Sequence, residues 1–486
     1  MTDKNNSIKN KAINGMMWSS MGSFAFQIVR ILTQILLARL LWPEAFGLLA
    51  IVMAFVSVAN YLIENGLTLF LIRKKELNEN DSTTLFYANV GFSIIMILLF
   101  FIISPYLSIY FKEESLNLML RVTSISILFN ALGSVNKAIL TRQIEFKGQT
   151  IIMLLSAVIS GVIAIGAAYL NFGIWSLVIY NVLYQLVQTL LLLNVYHYFP
   201  KGKFDKAFLK ESVIYSWKLM LSGLIHTLYE NIFSIIMADL YTVTSLGYYS
   251  NALKIRDGAA QTLTDSIQRV SFPVLSTFQD EKQKLRGTNS KILKLTVFII
   301  FPLLFGLAAT SSSIVNVVFG DLWLGMIPVM QVLAFNGLLI PLHKINLNIL
   351  TVIGRTDLYL KLEIIKKVIA FITIGLMLVL KIDMIGLLWV LLLNAILGYL
   401  INVYYVEKYI NYSLADQVKD ILSIFIASVI MGISVYSLDL FTSLGSIITL
   451  GLQILLGMTI YIIFSFFLSQ KELYTILSVM KRIKSK

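Results

Sequence analysis

Long apolar stretches follow one another along almost the whole chain and are separated by short polar connections. A helix that crosses the hydrocarbon core of a bilayer, about 30 Å thick, needs about 20 predominantly apolar residues. With that window the pattern predicts fourteen membrane-spanning helices, at 14–36, 44–66, 82–104, 117–139, 149–170, 174–196, 213–238, 246–276, 292–312, 325–352, 358–380, 384–405, 417–438 and 443–468. The sequence therefore predicts an all-α integral membrane protein.

The basic residues fall in alternate connections between these predicted helices. They precede the first span, follow every even-numbered span and close the chain, as shown by Lys4, Arg73, Lys201, Lys284 and Lys481. Cytoplasmic connections of membrane proteins carry the excess of Lys and Arg. We therefore expect a multi-pass protein of the cytoplasmic (inner) membrane with both termini in the cytoplasm.

An internal repeat divides the predicted helices into two sets. Matching residues recur in the same order with a spacing of 200 residues or slightly more, namely Ala38 and Ala238, Leu40 and Leu240, Gly47 and Gly247, Asn136 and Asn346, and Thr141 and Thr351. The repeat predicts two pseudo-symmetric six-helix lobes at 1–200 and 201–410, with helices 13 and 14 and a basic cytoplasmic tail at 411–486. Parallel repeats of this kind are typical of secondary transporters, whose sites lie between the repeats. We expect a central cavity there.

The composition argues against several classes of function. Of the 486 residues, 58% are hydrophobic and only 13% are charged, against about 25% charged in soluble domains. The net charge of +13 is explained by the basic connections, so nucleic acid is not an expected partner. The chain has no cysteine and three histidines in distant segments, so no metal site or other cofactor is expected. Gly202-Lys203 is followed by Phe204, which departs from the phosphate-binding loop of ATPases.

Polar and ionisable residues interrupt six of the predicted spans, where each charge costs about 2.5–3.5 kcal/mol to insert. The six are the first, second and fourth spans of one lobe and the equivalent seventh, eighth and tenth spans. Steps of three and four place the polar residues of a span on one helical face, which favours a hydrated cavity. Stripes at these steps comprise Ser20, Ser23, Gln27, Arg30 and Gln34; Ser57, Asn60 and Glu64; Lys218, Ser222, His226 and Glu230; and Lys254, Asp257, Gln261, Asp265 and Gln268, with Arg256 and Arg269 beside the last. The fourth span adds Arg121, Asn130 and Asn136, and the tenth adds His343, Lys344, Asn346 and Asn348.

A structural explanation is open for any single member of these stripes. Arg30 or Lys344 could extend toward the membrane interface, since long basic side chains reach water while their stems stay apolar. Either could also form a structural ion pair with Glu64 or Asp265. The agreement between equivalent spans of the two lobes favours the cavity for the pattern as a whole.

Several motifs resemble a known family. They are the segments Leu37–Ala50, Ile63–Gly66, Asn130–Gly133, Arg142–Lys147, Gly247–Asn251, Phe272–Ser276, Val318–Trp323 and Gly354–Asp357. In this order they are similar to the Wzx-type lipid-linked oligosaccharide flippases of the polysaccharide transporter family in the MOP exporter superfamily, in particular its WzxC- and TuaB-like branch. The first span departs from some relatives in having no proline, which leaves Gly22 as its expected hinge.

The resemblance implies a flippase that works by alternating access, without enzymatic activity. The implied substrate is an undecaprenyl-pyrophosphate-linked oligosaccharide, carried from the cytoplasmic to the outer leaflet for surface polysaccharide or lipopolysaccharide biosynthesis. The implied partners are this lipid-linked oligosaccharide, membrane lipid and polysaccharide-assembly enzymes. A pyrophosphate needs basic partners, so the expected substrate-binding residues are Gln27, Arg30, Lys218, Lys254, Arg256 and Lys344. The expected coupling-ion residues are Glu64, Glu230, Asp257 and Asp265.

Two other functions stay open from the sequence. A drug or cation exporter of the same superfamily would share the topology and the repeat, but it would favour a cavity of net negative charge, whereas these stripes are mixed and slightly basic. A membrane-embedded polysaccharide polymerase or glycosyltransferase would need a sizeable outward loop, and the predicted outward connections are all short.

Overall fold

A computed structural model gives the fold of the chain. It describes residues 2–65, 67–74, 76–143, 145–196, 199–441 and 445–468, without the side chains of residues 2–17, 19, 20, 69, 218, 219, 222 and 440. The predicted basic tail beyond 468 and His197 therefore lie outside the described residues. Within these ranges the regular structure is helical and contains no β-strand. The chain is thus an all-α protein, as its hydropathy predicts.

The chain forms two compact units, at 1–250 and 251–486. The helices of the first unit are α1 (Thr2–Leu40), α2 (Pro43–Asn65), α3 (Thr68–Arg73), α4 (Glu79–Phe111), α5 (Ser115–Arg142), α6 (Phe146–Tyr169), α7 (Trp175–Tyr196) and α8 (Lys206–Leu240). Helix α9 (Val243–Ala259) begins in the first unit and ends in the second. In the first unit α1 packs on α6, α4 on α5, and α7 on both α5 and α6.

The second unit continues with α10 (Gln261–Ser276), α11 (Lys282–Ala309), α12 (Ser311–Ile314), α13 (Met326–Gly337), α14 (Leu339–Val352), α15 (Thr356–Val379), α16 (Met384–Ile410), α17 (Leu414–Phe441) and α18 (Ser446–Leu468). A π-turn at Val315–Phe319 and a short 3-10 turn at Asp321–Trp323 connect α12 to α13. Helix α17, which belongs to the predicted additional pair, packs along α11. Its inner side belongs to the main apolar core of this unit, through Ile424, Met431 and Val435.

Eleven helices of the described chain are long and apolar enough to cross a membrane. They confirm the membrane character of the fold, and they include the fourth and tenth predicted spans, which are rich in polar residues. The seventh, eighth and eleventh predicted spans, at α8, at α9 with α10, and at α15, are not among the eleven. The α15 region carries Glu363, Lys366 and Lys367 within its apolar stretch, so its composition alone does not place it in the membrane. The count of fourteen is therefore approximate.

Two predicted spans are each divided into two helices. The eighth breaks at Ala260, between α9 and α10, where the Thr262 hydroxyl donates to the Asp257 carbonyl oxygen at 3.3 Å. The tenth breaks at Leu338, between α13 and α14. Pro341 lacks the N–H that would donate to the Gly337 carbonyl oxygen, so a continuous helix would lose a hydrogen bond at this point.

The repeat is visible in the helix boundaries. Helices α1 and α8 end at Leu40 and Leu240, and α2 and α9 begin at Pro43 and Val243, in each case 200 residues apart. The matched glycines thus occupy the same position in the first turns of α2 and α9.

Gly22 lies at a close contact between α1 and α6, and its role as a hinge stays a prediction. Helix α1 runs without a break from Thr2 to Leu40. A Cβ at Gly22 would lie 2.2 Å from Cγ2 of Thr150 on α6, and one at Gly161 would lie 2.7 Å from Oγ1 of Thr33 on α1. Small residues allow membrane helices to approach closely. Gly22 therefore serves the close packing of α1 on α6.

Candidate functional site

The first unit contains a polar cavity of about 320 Å³ between α1, α2, α5, α6 and α7. Its polar lining consists of a carboxylate, an ammonium group, three side-chain amides and hydroxyl groups, among them Ser23, Glu64, Lys137, Gln149, Thr150, Tyr184, Gln185 and Gln188. All of these residues lie in helices that are candidate membrane spans. A polar cavity within such helices is where a membrane protein can hold a hydrophilic ligand.

Glu64 and Lys137 form the charged part of this cavity. The Lys137 Nζ lies 3.6 Å from Glu64 Oε1, and the two side chains are 27% and 46% exposed. The same ammonium donates to Asn130 Oδ1 at 3.0 Å, and the Asn130 amide donates to Asn60 Oδ1 at 2.9 Å. The network thus connects α2 to α5 and holds the ammonium beside the carboxylate. Because 3.6 Å is long for a charge-assisted hydrogen bond, the contact is open to rearrangement.

The glutamines form the uncharged part of the cavity. Gln149 donates to the Lys137 carbonyl oxygen at 3.1 Å and to Thr141 Oγ1 at 3.0 Å. Gln188 donates to the Tyr184 hydroxyl at 3.3 Å. The Oε1 atom of Gln185 is inaccessible and accepts no hydrogen bond from the described residues. An unsatisfied buried acceptor costs about 1–3 kcal/mol, so a turn of the Gln185 amide toward the cavity, where a ligand donor could reach it, would be favourable.

Arg30 and Gln27 lie on α1 and are half-buried. Only Ser23 of their stripe is among the described lining residues of the cavity. Arg30 is within electrostatic range of Tyr180 and Tyr184 on α7. Arg30 forms no ion pair with any residue that the structure describes, and Gln27 forms no hydrogen bond with one. The alternative explanation of Arg30 as a structural partner of Glu64 is not seen, since Glu64 contacts Lys137 instead.

The predicted residues of α8 are less fully defined. The side chain of Lys218 lies outside the description, and Glu230 is exposed. Glu230 forms no ion pair within the described ranges. The structure therefore places Glu230 at the surface of this unit and leaves both assignments as predictions.

Arg256 is largely buried, with a side chain that is 14% exposed. Lys344, the other predicted basic residue that forms an ion pair, is 29% exposed. The Arg256 guanidinium donates to Asp257 Oδ1 from Nη2 at 2.5 Å and from Nε at 3.0 Å, and Nη1 donates to Asn336 Oδ1 at 3.0 Å. A Cβ at Gly337 would lie 3.0 Å from Arg256 Cγ. The glycine at the end of α13 therefore makes room for the arginine stem. The structure brings Arg256 and Asp257 together as a pair.

Lys344 and Asp265 form a second ion pair in this unit, which corresponds to the structural alternative left open for Lys344. The Lys344 Nζ contacts Asp265 Oδ1, with side chains that are 29% and 37% exposed. The contact joins α14 to α10. Lys254 is half-buried in α9. Two of the expected coupling carboxylates, Asp257 and Asp265, are thus neutralised by basic residues that were expected to bind substrate.

The sequence did not single out several residues that the structure places in these sites. Lys137 falls near the end of the fourth predicted span, and α5 continues to Arg142, so the lysine lies well within the helix. Its spacing of seven residues from Asn130 corresponds to two helical turns and could have indicated a shared face. Tyr184 and Gln188 are similarly four residues apart on α7. Asn336 had no such signal.

The comparisons with known proteins agree on one family. A model described as polysaccharide biosynthesis protein matches residues 36–328. The chain is 26% identical over 406 residues to lipopolysaccharide biosynthesis protein WzxC of Escherichia coli K12, covering 82% of each chain. It is 25% identical over 440 residues to teichuronic acid biosynthesis protein TuaB of Bacillus subtilis 168, covering 90% of each chain.

The fold also has a counterpart among solved structures. The lipid II flippase MurJ in an inward closed conformation superposes with a TM-score of 0.72 at 20% identity, over 93% of this chain and 98% of that chain. This likeness shows a shared all-helical membrane fold.

Proposed function

This chain belongs to the polysaccharide biosynthesis protein family, and from that premise we propose that it is a flippase for undecaprenyl-pyrophosphate-linked oligosaccharides. In this proposal it carries the repeat unit from the cytoplasmic to the outer leaflet for surface polysaccharide synthesis. The names of the relatives concern lipopolysaccharide and teichuronic acid biosynthesis, and the structural neighbour is a lipid II flippase. These names support a lipid-linked saccharide as substrate.

The proposal rests mainly on the position of Arg30. This residue lies in the candidate span Met21–Leu40, is half-buried and has no carboxylate partner within the described chain. A cation within the membrane is costly unless an opposite charge or water accompanies it. A pyrophosphate supplies that charge, and a guanidinium can bind its oxygens through two parallel hydrogen bonds.

Arg256 is the second proposed contact to the headgroup. Its pairing with Asp257 and Asn336 fixes the guanidinium before substrate arrives. A bound pyrophosphate would compete with Asp257 for the same nitrogen atoms, so binding and release would involve exchange between the two anions. Lys344 with Asp265 offers the same exchange on α14 and α10. Gln27, Lys218 and Lys254 complete the proposed substrate contacts, and Glu64, Glu230, Asp257 and Asp265 are the proposed coupling carboxylates.

The proposed mechanism is alternating access by two lobes at 1–200 and 201–410, with 411–486 as an additional helix pair and tail. The repeat-related helix starts of α2 and α9 touch through Gly47 and Gly247. The charges of the connections predict that these helix starts face the outside, with both termini in the cytoplasm. In that orientation the contact lies on the outer side of the membrane. The chain would act as a transporter of the cytoplasmic membrane rather than as an enzyme, together with polysaccharide-assembly enzymes.

The test is flipping in vesicles. The purified full-length chain is reconstituted with a fluorescent undecaprenyl-pyrophosphate-linked oligosaccharide, and leaflet exchange is measured with and without a proton or sodium gradient. We expect exchange with the wild type, and loss of most exchange in Arg30→Ala. Arg39→Ala is the matched control, because Arg39 is exposed in the last turn of the same helix.

The same vesicles distinguish a flippase from an exporter of drugs or cations. Exposed Glu230 and partly exposed Glu64 are the groups that would favour a cationic substrate. Transport of a cationic dye by the same vesicles, with no exchange of the lipid-linked oligosaccharide, would replace the flippase by an exporter.

A further inference from the structure

We propose that the cavity of the first unit is a saccharide-binding subsite, which receives one or two sugars of the headgroup rather than its phosphates. This inference rests on the flippase function proposed above and assigns a part of the substrate to named side chains. The subsite consists of Gln149, Tyr184, Gln185 and Gln188 together with the pair of Glu64 and Lys137.

The chemistry of the lining fits hydroxyl groups. Side-chain amides both donate and accept hydrogen bonds, as sugar hydroxyls do. Three glutamines and a tyrosine line this cavity, whereas its basic residue, Lys137, is already in contact with Glu64 and Asn130. A pyrophosphate would meet one partly neutralised cation and the carboxylate of Glu64. A neutral polyhydroxylated ligand would meet matching donors and acceptors without that repulsion.

The hydrogen bonds of the three glutamines show which of their atoms can serve a ligand. Gln149 uses its amide nitrogen for two donations, so its carbonyl oxygen is left for a ligand donor. Gln185 Oε1 is buried and lacks a partner in the described structure, so a turn of this amide toward the cavity would provide a second acceptor for a ligand donor. Gln188 is 92% buried with one donation to Tyr184. Two acceptors in one small cavity match adjacent hydroxyl groups of a sugar ring.

The size of the cavity limits what enters it. Its volume of about 320 Å³ is at the lower end of the range of about 300–1,000 Å³ for small-molecule sites. Such a volume suits a terminal portion of an oligosaccharide and excludes a complete repeat unit with its lipid. Apolar side chains at Phe146, Ile152, Met153 and Leu192 provide surfaces for the apolar faces of a sugar ring.

A cation is the competing occupant, with Glu64 as its ligand. The Lys137 ammonium lies 3.6 Å from Glu64 Oε1, so its positive charge opposes a second cation there, whereas a proton taken up by the carboxylate is compatible with Glu64 as a proposed coupling residue. The described residues also contain no group of three or more His, Cys, Asp or Glu side chains that could hold a metal ion. The geometry therefore favours the saccharide, and the binding experiment includes sodium as a separate probe.

The test measures binding to the full-length protein in lipid nanodiscs. The probes are the lipid-free oligosaccharide released by mild acid from the strain's own lipid-linked precursor, inorganic pyrophosphate, and sodium chloride. We expect Gln185→Leu to weaken oligosaccharide binding at least about tenfold, the effect of about 1.4 kcal/mol, and to leave pyrophosphate binding unchanged. Gln453→Leu is the matched control, because Gln453 on α18 is also buried with an Oε1 atom that lacks a described partner. Equal oligosaccharide binding by wild type and Gln185→Leu would overturn the assignment.

A second measurement does not depend on how well Gln185→Leu folds. The chain has no cysteine, so Ser23→Cys provides a single thiol in the lining of the cavity, close in size to the serine and outside the four side chains of the subsite. We expect the oligosaccharide to slow its reaction with a small thiol reagent, and pyrophosphate and sodium to have no such effect. Protection by sodium or pyrophosphate instead of the oligosaccharide would reject the subsite. Flipping with no protection would reject the subsite alone, while absence of both flipping and oligosaccharide binding would reject the flippase itself.

Discussion

Gly47 and Gly247 lie at equivalent positions of α2 and α9, and each faces the backbone that begins the other helix. A Cβ at Gly47 would lie 1.9 Å from the Val243 carbonyl oxygen, and one at Gly247 would lie 2.0 Å from the Pro43 carbonyl oxygen. Both distances are far below van der Waals contact, so only glycine permits this approach. The repeat in the sequence thus corresponds to a reciprocal contact between the two repeated segments.

Alanine at either glycine is expected to weaken this contact. Overpacking costs about 1–3 kcal/mol, which shifts an equilibrium between two conformations by about 5- to 150-fold. In Gly47→Ala and Gly247→Ala we expect a single cysteine introduced by Trp42→Cys to react faster with a membrane-impermeant maleimide, and flipping to fall. Gly91→Ala is the control, since a Cβ there meets no atom within 4 Å. Reaction rates equal to those of the control would show that this contact does not limit access.

Swapping the residues at positions 344 and 265 tests whether Lys344 binds the substrate or only forms a structural ion pair with Asp265. Lys344→Ala leaves Asp265 without its counter-charge and is expected to lower both protein level and flipping. In the double variant Lys344→Asp with Asp265→Lys, we expect the protein level to recover while flipping stays low, because the headgroup needs the cation on α14. Lys291→Ala, at an exposed position of α11, serves as control. Full recovery of flipping in the double variant would make the pair structural.

Asp420 connects α17 to α11 and is expected to stabilise the second unit. Its Oδ2 accepts from Ser290 at 2.5 Å and from Tyr412 at 2.7 Å, and Lys294 Nζ lies 3.3 Å from its Oδ1. Hydrogen bonds to a charged group contribute about 1.5–3 kcal/mol each, and partial exposure reduces this. Asp420→Ala should lower the midpoint of thermal unfolding in detergent clearly more than Asp439→Asn does. Asp439 is the control, because it accepts a single long bond of 3.5 Å from Ser313. Similar midpoints for the two variants would contradict this role.

The predicted orientation can be tested with single cysteines in a chain that has none of its own. Phe172 lies in the exposed connection between α6 and α7, and Lys284 lies with an exposed side chain at the start of α11. The charge pattern places the first outside and the second in the cytoplasm. An impermeant maleimide should label Phe172→Cys in intact cells and Lys284→Cys only after permeabilisation. The reverse labelling would invert the topology.

Much of the fold could be predicted from the sequence because its causes are local. A membrane helix satisfies its backbone hydrogen bonds within its own segment, so runs of apolar residues identify it without knowledge of its neighbours. Composition is less decisive where polar residues interrupt the apolar pattern, as at α9 and α15, and it does not show where a predicted span divides into two helices, as the tenth does near Pro341.

The sequence by itself determined the all-helical membrane fold, the repeat and the residue types of the polar stripes. Only the tertiary structure decided which of these residues meet. Glu64 contacts Lys137 rather than Arg30. Arg256 donates a hydrogen bond to Asn336, and Gly22 packs on Thr150. The period of a helix gives the face on which a residue lies, but the rotation and crossing of the helices determine what that face touches, and these depend on close packing between segments distant in sequence.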